Sequence, residues 1–171
     1  MDGSTSVEEL RKVQQPLKSR YRDDPDAALI TLEADGDLDE GITCSVQTGH
    51  ALVKAGLHPG TGGDGASACS GDMLLQALVA CAGVTLRAVA TSMGLAVGGS
   101  VHAEGDLDWR GTLAVDKQVA VGFSAIRLRF DLESDASDDE LAALERLTER
   151  YCVVLQTLAQ SPALSVSRNR V

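Results

Sequence analysis

Apolar positions fall into blocks of two different periods. From Met73 to Met93, Leu74, Leu75, Leu78, Cys81, Ala82, Thr85, Leu86, Val89 and Met93 recur at helical spacing. Arg87 is the one charge among them. This predicts a helix apolar on nearly all sides, and therefore buried. A second helix is predicted over Ser137 to Gln160, with Leu141, Leu144, Leu147, Tyr151, Leu155 and Leu158 as its stripe. Ser137 and Glu140 form a capping box at its start, and Pro162 ends it. Strand alternation marks Leu95 to Asp108 and Val119 to Leu132, the latter with a phase shift near Ile126. Shorter strands are predicted at Ala28–Leu32, at Ala163–Ser167, and as one or two between Ile42 and Val53, with Thr48-Gly49 a turn. Val7 to Tyr21 reads as a short helix divided by Pro16, and the glycine-rich stretch Gly56 to Asp72 as a loop. The order predicts an α+β fold with a mostly antiparallel sheet and two core helices.

Composition narrows the function. The 171 residues fit one domain, with 44% hydrophobic positions to build a core. Net charge is −10, and aromatics are only 3%. Acidity argues against nucleic acid and against anionic membrane surfaces, since phosphate binding needs a basic stripe. Scarce aromatics remove the stacking platform for single strands. No 18-residue stretch is purely apolar and the N-terminus lacks a signal-peptide pattern, so the expectation is a cytoplasmic protein without a membrane span. The acidity is partly local, because eight acids and no Lys or Arg lie between Asp23 and Glu40. Such a run reads as a solvated surface.

Gly60, Gly62 and Gly65 spell G-x-G-x-x-G. No acid follows about 20 residues on, and the next helix does not open directly from the motif. A flexible loop is the better reading. The chain has no G-x-S-x-G elbow, and His50, His58 and His102 read as surface or loop residues. Cys44, Cys69, Cys81 and Cys152 contain no C-x-x-C pair, and with only three histidines a zinc site is not expected. Each cysteine alone reads as a small buried hydrophobe. Taken jointly, Cys81 and Cys152 occupy the two long helices, and packing of those helices could bring the thiols together.

Ser70-Gly71-Asp72-Met73-Leu74-Leu75-Gln76-Ala77-Leu78-Val79-Ala80-Cys81 resembles the S-P-x-E-L-L-L-A-A-L-x-x-C segment of the OsmC/Ohr superfamily of thiol-dependent hydroperoxide reductases. Glu149-Arg150-Tyr151-Cys152-Val153-Val154 is similar to its second-cysteine helix. The likeness spans about residues 28 to 168, closest to the OsmC-like branch. It implies an OsmC-like domain over 28–171, preceded by an N-terminal helical arm, 1–27. It also implies a swapped homodimer, with antiparallel sheets wrapped around two central cysteine-bearing helices.

The resemblance further implies a cofactor-free peroxidase acting on organic hydroperoxides. Cys81 would be oxidised to a sulfenic acid, Cys152 would close a disulfide with it, and an external dithiol would reduce that bond. The family's glutamate corresponds to Asp72, while Ser70 replaces its proline and Gly71 stands ten positions before Cys81. Asp72 equally suits a helix N-terminus. A reactive thiol needs a lowered pKa, which the better-studied branch obtains from an arginine held by a glutamate. No arginine here matches that motif. Arg20 and Arg22 are the spatial candidates, and Arg87 is expected to point elsewhere.

Overall fold

The computed structural model describes residues 53–114 and 116–170, the backbone of 36–38, 43–47 and 52, and positions 6–8, 12, 14 and 15. The first three described strands are β1 (Gly36–Leu38), β2 (Thr43–Gln47) and β3 (Leu52–Gly56). They pair antiparallel, with Gln47 opposite Leu52, so one or two strands between 42 and 53 become two. The turn between them, the expected strand at 28–32 and most of the expected helix at 7–21 lie outside the described residues. Val7, Glu8, Lys12, Gln14 and Gln15 are helical.

The glycine loop carries more order than its composition suggests. Pro59–Thr61 form a 3-10 turn capped by His58, and β4 (Ala68–Cys69) adds to β3 in parallel. Gly60 lies against Trp109, which stacks on the His58 ring with centroids 5.0 Å apart. The G-x-G-x-x-G stretch therefore closes on an indole.

Helix α1 (Ser70–Met93) starts three residues before the predicted boundary. It ends at Gly94, whose φ of 73° suits a residue without Cβ, and Gly94 and Leu95 N–H groups both take the Ala90 carbonyl. One stripe of α1, Leu78, Ala82, Leu86 and Ala90, is buried. The opposite face is open, with Val84 72% exposed. By length and composition α1 is also long and apolar enough to cross a membrane. In this fold its buried stripe packs on β5 and on the helical stretch from 138 to 159.

Strands β5 (Gly98–Asp106) and β6 (Ala125–Glu133) form a two-stranded antiparallel sheet. Val101, Ala103, Ile126, Leu128, Phe130 and Leu132 turn toward the helices. The other face is a charged ladder in which Arg127 bonds both Glu104 and Asp106, and Arg129 bonds Asp131. Both strands are shorter than predicted. Residues 119–124 leave the ladder and turn back, with the Ser124 N–H on the Asp106 carbonyl, so the phase shift near Ile126 marks the strand's beginning. Between the strands lies α2 (Trp109–Thr112).

The predicted helix at 137–160 is two helices, α3 (Asp138–Tyr151) and α4 (Val153–Ala159). The capping box is present: the Glu140 N–H donates to Ser137 Oγ, and the Ser137 N–H donates to Glu140 Oε2 at 2.9 Å. Cys152 breaks the helix with an extended backbone, φ −72° and ψ 106°. Neither Pro nor Gly stands there. Burial of Cys152 against Leu78 and Ala82 holds the break, and the Gln156 side-chain amide satisfies the freed Glu149 carbonyl. The adjacent β-branched pair, Val153-Val154, resists helix weakly. The expected strand at 163–167 is absent: residues 161–170 have no ladder partner among the described residues, and Val166 is 99% exposed. A strand needs a neighbour for its backbone groups.

Candidate active site

Cys81 lies midway along α1, and Cys152 lies at the joint between α3 and α4. These remote positions meet because α1 packs on both α3 and α4. Cys152 is fully buried, in one cluster with Leu78 and Ala82, and Cys81 packs at its margin, half-buried. Both thiols are free, and the Cys152 thiol lies close enough to Cys81 for each to shift the other's titration. Of the three residues proposed from sequence, the fold thus joins two. Asp72 is exposed in the first turn of α1, nine residues before Cys81 and about 13 Å along the axis at 1.5 Å per residue. Among the described residues it has no hydrogen bond or ion pair.

The electrostatics of the pair are asymmetric. Burial pushes the Cys81 thiol up, but hydrogen bonds outweigh it and hold Cys81 below the ordinary thiol range. The donors are the Val154 N–H, the Cys152 thiol, the Thr85 hydroxyl and the Val153 N–H. Cys152 is displaced the other way, first by burial and then by donating to a charged Cys81. The pair therefore favours one thiolate, on Cys81, with Cys152 keeping its proton.

The break at Cys152 supplies the main donors. Residues that begin a helix have no carbonyl one turn back, so the N–H groups of Val153 and Val154 are available to Cys81. A continuous helix would have spent them on Glu149 and Arg150. Every donor to Cys81 among the described residues is neutral, where the sequence led us to expect a cation. Arg87 instead bonds the Val97 carbonyl, at the far end of α1. Arg20 and Arg22 lie outside the described residues. Sequence reading missed Thr85, Val153 and Val154. Thr85 was detectable in principle, since its i+4 spacing from Cys81 places both on one helix face.

Other constellations do not compete. Ser100, His102 and Asp131 adjoin on the charged sheet face, at 3.0 and 3.3 Å. Both contacts use His102 Nε2, whereas a Ser-His-Asp triad needs the carboxylate on the other ring nitrogen. Among the described residues no group of three His, Cys, Asp or Glu side chains could hold a metal ion.

Comparison with known proteins agrees with this architecture. The family described as OsmC-like protein matches residues 62–167, so the chain belongs to the OsmC-like family. An OsmC-like protein from Mycoplasma pneumoniae has the same fold, with a TM-score of 0.65 and 15% identity, over 77% of this chain and 89% of that one. A hypothetical protein from Aquifex aeolicus VF5 aligns with a TM-score of 0.60 and 16% identity, over 78% of this chain and 90% of that one. An OsmC-like protein of unknown function from Vibrio cholerae O1 biovar eltor str. N16961 aligns with a TM-score of 0.57 and 12% identity, over 75% and 94%. No curated protein matches.

Proposed function

We propose that this chain is a thiol-dependent peroxidase that reduces organic hydroperoxides and serves peroxide detoxification. The observation that carries this reading is the packing of Cys81 against the buried Cys152, with Cys81 held below, and Cys152 above, the ordinary thiol range. The Cys81 thiolate attacks the O–O bond, an alcohol leaves, and Cys81 becomes a sulfenic acid. The adjacent Cys152 thiol condenses with it, losing water, and the disulfide closes. A dithiol then reduces that bond. Asp72 enters this scheme as an acid at the start of α1. The reading includes a cytoplasmic location, where reductants keep thiols free.

The reading includes a swapped homodimer wrapped around the two cysteine-bearing helices. Two features support it. One face of α1 is uncovered, with Val84 exposed, and among the described residues the β1–β4 sheet meets the rest of the chain chiefly through β4 and the 59–61 turn. A second copy would cover both. The test of activity is consumption of cumene hydroperoxide with dithiothreitol, together with mass spectrometry for a Cys81–Cys152 disulfide after one equivalent of peroxide. No turnover and no disulfide would sink the proposal.

A competing reading is a catalytically weak dimer that binds a small apolar ligand. It draws on a cavity of about 580 Å³ lined by Leu74, Leu78, Phe123, Ile126, Leu155 and Leu158. Ligand occupancy there without disulfide formation would favour it.

A further inference from the structure

We propose that the reductant attacks the sulfur of Cys81, not that of Cys152, so that the mixed disulfide of the reductive half-reaction forms on Cys81. This rests on the peroxidase reading for its physiological setting. The argument itself concerns geometry. Displacement at a disulfide is in-line: the incoming sulfur approaches opposite the leaving one. Cys152 is completely buried, backed by Leu78 and Ala82, both at 0% exposure. A thiol could reach it only by displacing packed side chains. Cys81 is half-buried on the margin of that cluster and retains exposed surface where Cys152 has none.

Chemistry alone would favour the opposite choice. Cys81 is the better leaving group, since its thiolate is the stabilised one. Leaving-group preference changes an exchange rate modestly, whereas a path through close-packed side chains requires local opening of the core. Burial therefore decides. In the first exchange a reductant thiolate bonds to Cys81 Sγ, the Cys81–Cys152 bond breaks, and Cys152 leaves with the electron pair and takes a proton. In the second, the other thiol of the reductant closes onto the first, expelling Cys81. The dithiol loses two electrons, and both cysteines return to thiols.

The consequence is a slow, rising pH limb for reduction. Expelling Cys152 as a thiolate is the harder departure, because that group is held above the ordinary range. The experiment uses the full wild-type chain. One portion is oxidised with cumene hydroperoxide and another with diamide. Each is pulsed with excess 2-mercaptoethanol, quenched with acid, alkylated with N-ethylmaleimide and mapped by peptide fragmentation. The expected result is 2-mercaptoethanol on Cys81 and maleimide on Cys152, in a ratio of roughly tenfold or more. An adduct on Cys152, or an even distribution, would overturn the proposal. A second measurement serves if the adduct is too short-lived to map. In folded C152A, Cys81 should react with Ellman's reagent at least roughly tenfold faster than Cys152 does in folded C81A, and the reverse order would overturn it. A disulfide formed by diamide but not by peroxide would end the peroxidase reading while leaving this test intact.

Discussion

The two helical stretches that carry the cysteines are built in opposite ways. Helix α1 runs unbroken for 24 residues, and Cys81 is an ordinary position on its margin. The stretch from 138 to 159 stops at Cys152 and starts again. Continuity in the first gives Cys81 a rigid seat. Discontinuity in the second frees the backbone N–H groups that reach across to it. A thiolate can thus be favoured by the interruption of a neighbouring helix, without a positive charge.

The largest test of this contrast is chemical. Cys81→Ser should lower hydroperoxide turnover by on the order of 10³-fold or more, as expected for loss of a nucleophile. Cys152→Ser should instead allow sulfenic acid to accumulate on Cys81, detectable by dimedone labelling. Retained turnover in C81S would remove the role given to α1.

Packing gives the next contrast. Leu78 is fully buried and Val84 is 72% exposed on the same helix. Leu78→Ala should cost about 2–5 kcal/mol in urea denaturation. Val84→Ala should change stability by about 0.5 kcal/mol or less in a single chain. A larger loss at Val84 that depends on protein concentration would identify that face as the subunit contact.

Proline separates the continuous helix from the broken one. Val84→Pro lies mid-helix and should cost about 3 kcal/mol or more. Val153→Pro falls on the first residue of α4, where proline is tolerated, and the extended backbone of Cys152 suits a residue preceding proline. Its stability should hold within about 1 kcal/mol. It removes the Val153 N–H, one of the Cys81 donors, so the thiolate absorbance near 240 nm should titrate at higher pH. The sign follows from the donor's role. Hydrogen bonds favour the charged form, so the rate of peroxide reduction rises with pH and reaches its plateau below the ordinary thiol range. Losing a donor moves that rise upward. Strong destabilisation by V153P would mean the break does not persist in solution.

The smallest effect is at Thr85. Thr85→Val should slow peroxide reduction at neutral pH a few-fold, roughly the worth of one hydrogen bond to a charged group, and Thr85→Ser should restore it. An unchanged pH profile in T85V would take Thr85 out of the site.

Much of the fold was legible in periodicity. The stripe from Leu74 to Met93 announced α1, and alternation announced β5 and β6, because burial on one face repeats with the backbone's own period. The cysteine pair was legible only jointly, as two helices obliged to share a core. The break at Cys152 was not legible. Its cause is tertiary, since the leucine stripe runs through Cys152 without a Pro or Gly to mark a stop. The strand expected at Ala163–Ser167 shows the same limit. Its alternation is real, but no neighbouring strand among the described residues accepts it. The neutral donors around Cys81 escaped notice because backbone N–H groups carry no residue identity.

The stack of His58 on Trp109 has a practical consequence. This is the only tryptophan in the chain, so indole emission reports the closing of the glycine loop and not the thiol pair. Circular dichroism, by contrast, follows α1 and α3. Unfolding curves recorded both ways will superimpose only if loop and helices melt as one cooperative unit. A fluorescence transition at lower urea would show the loop leaving the indole while the cysteine helices remain intact.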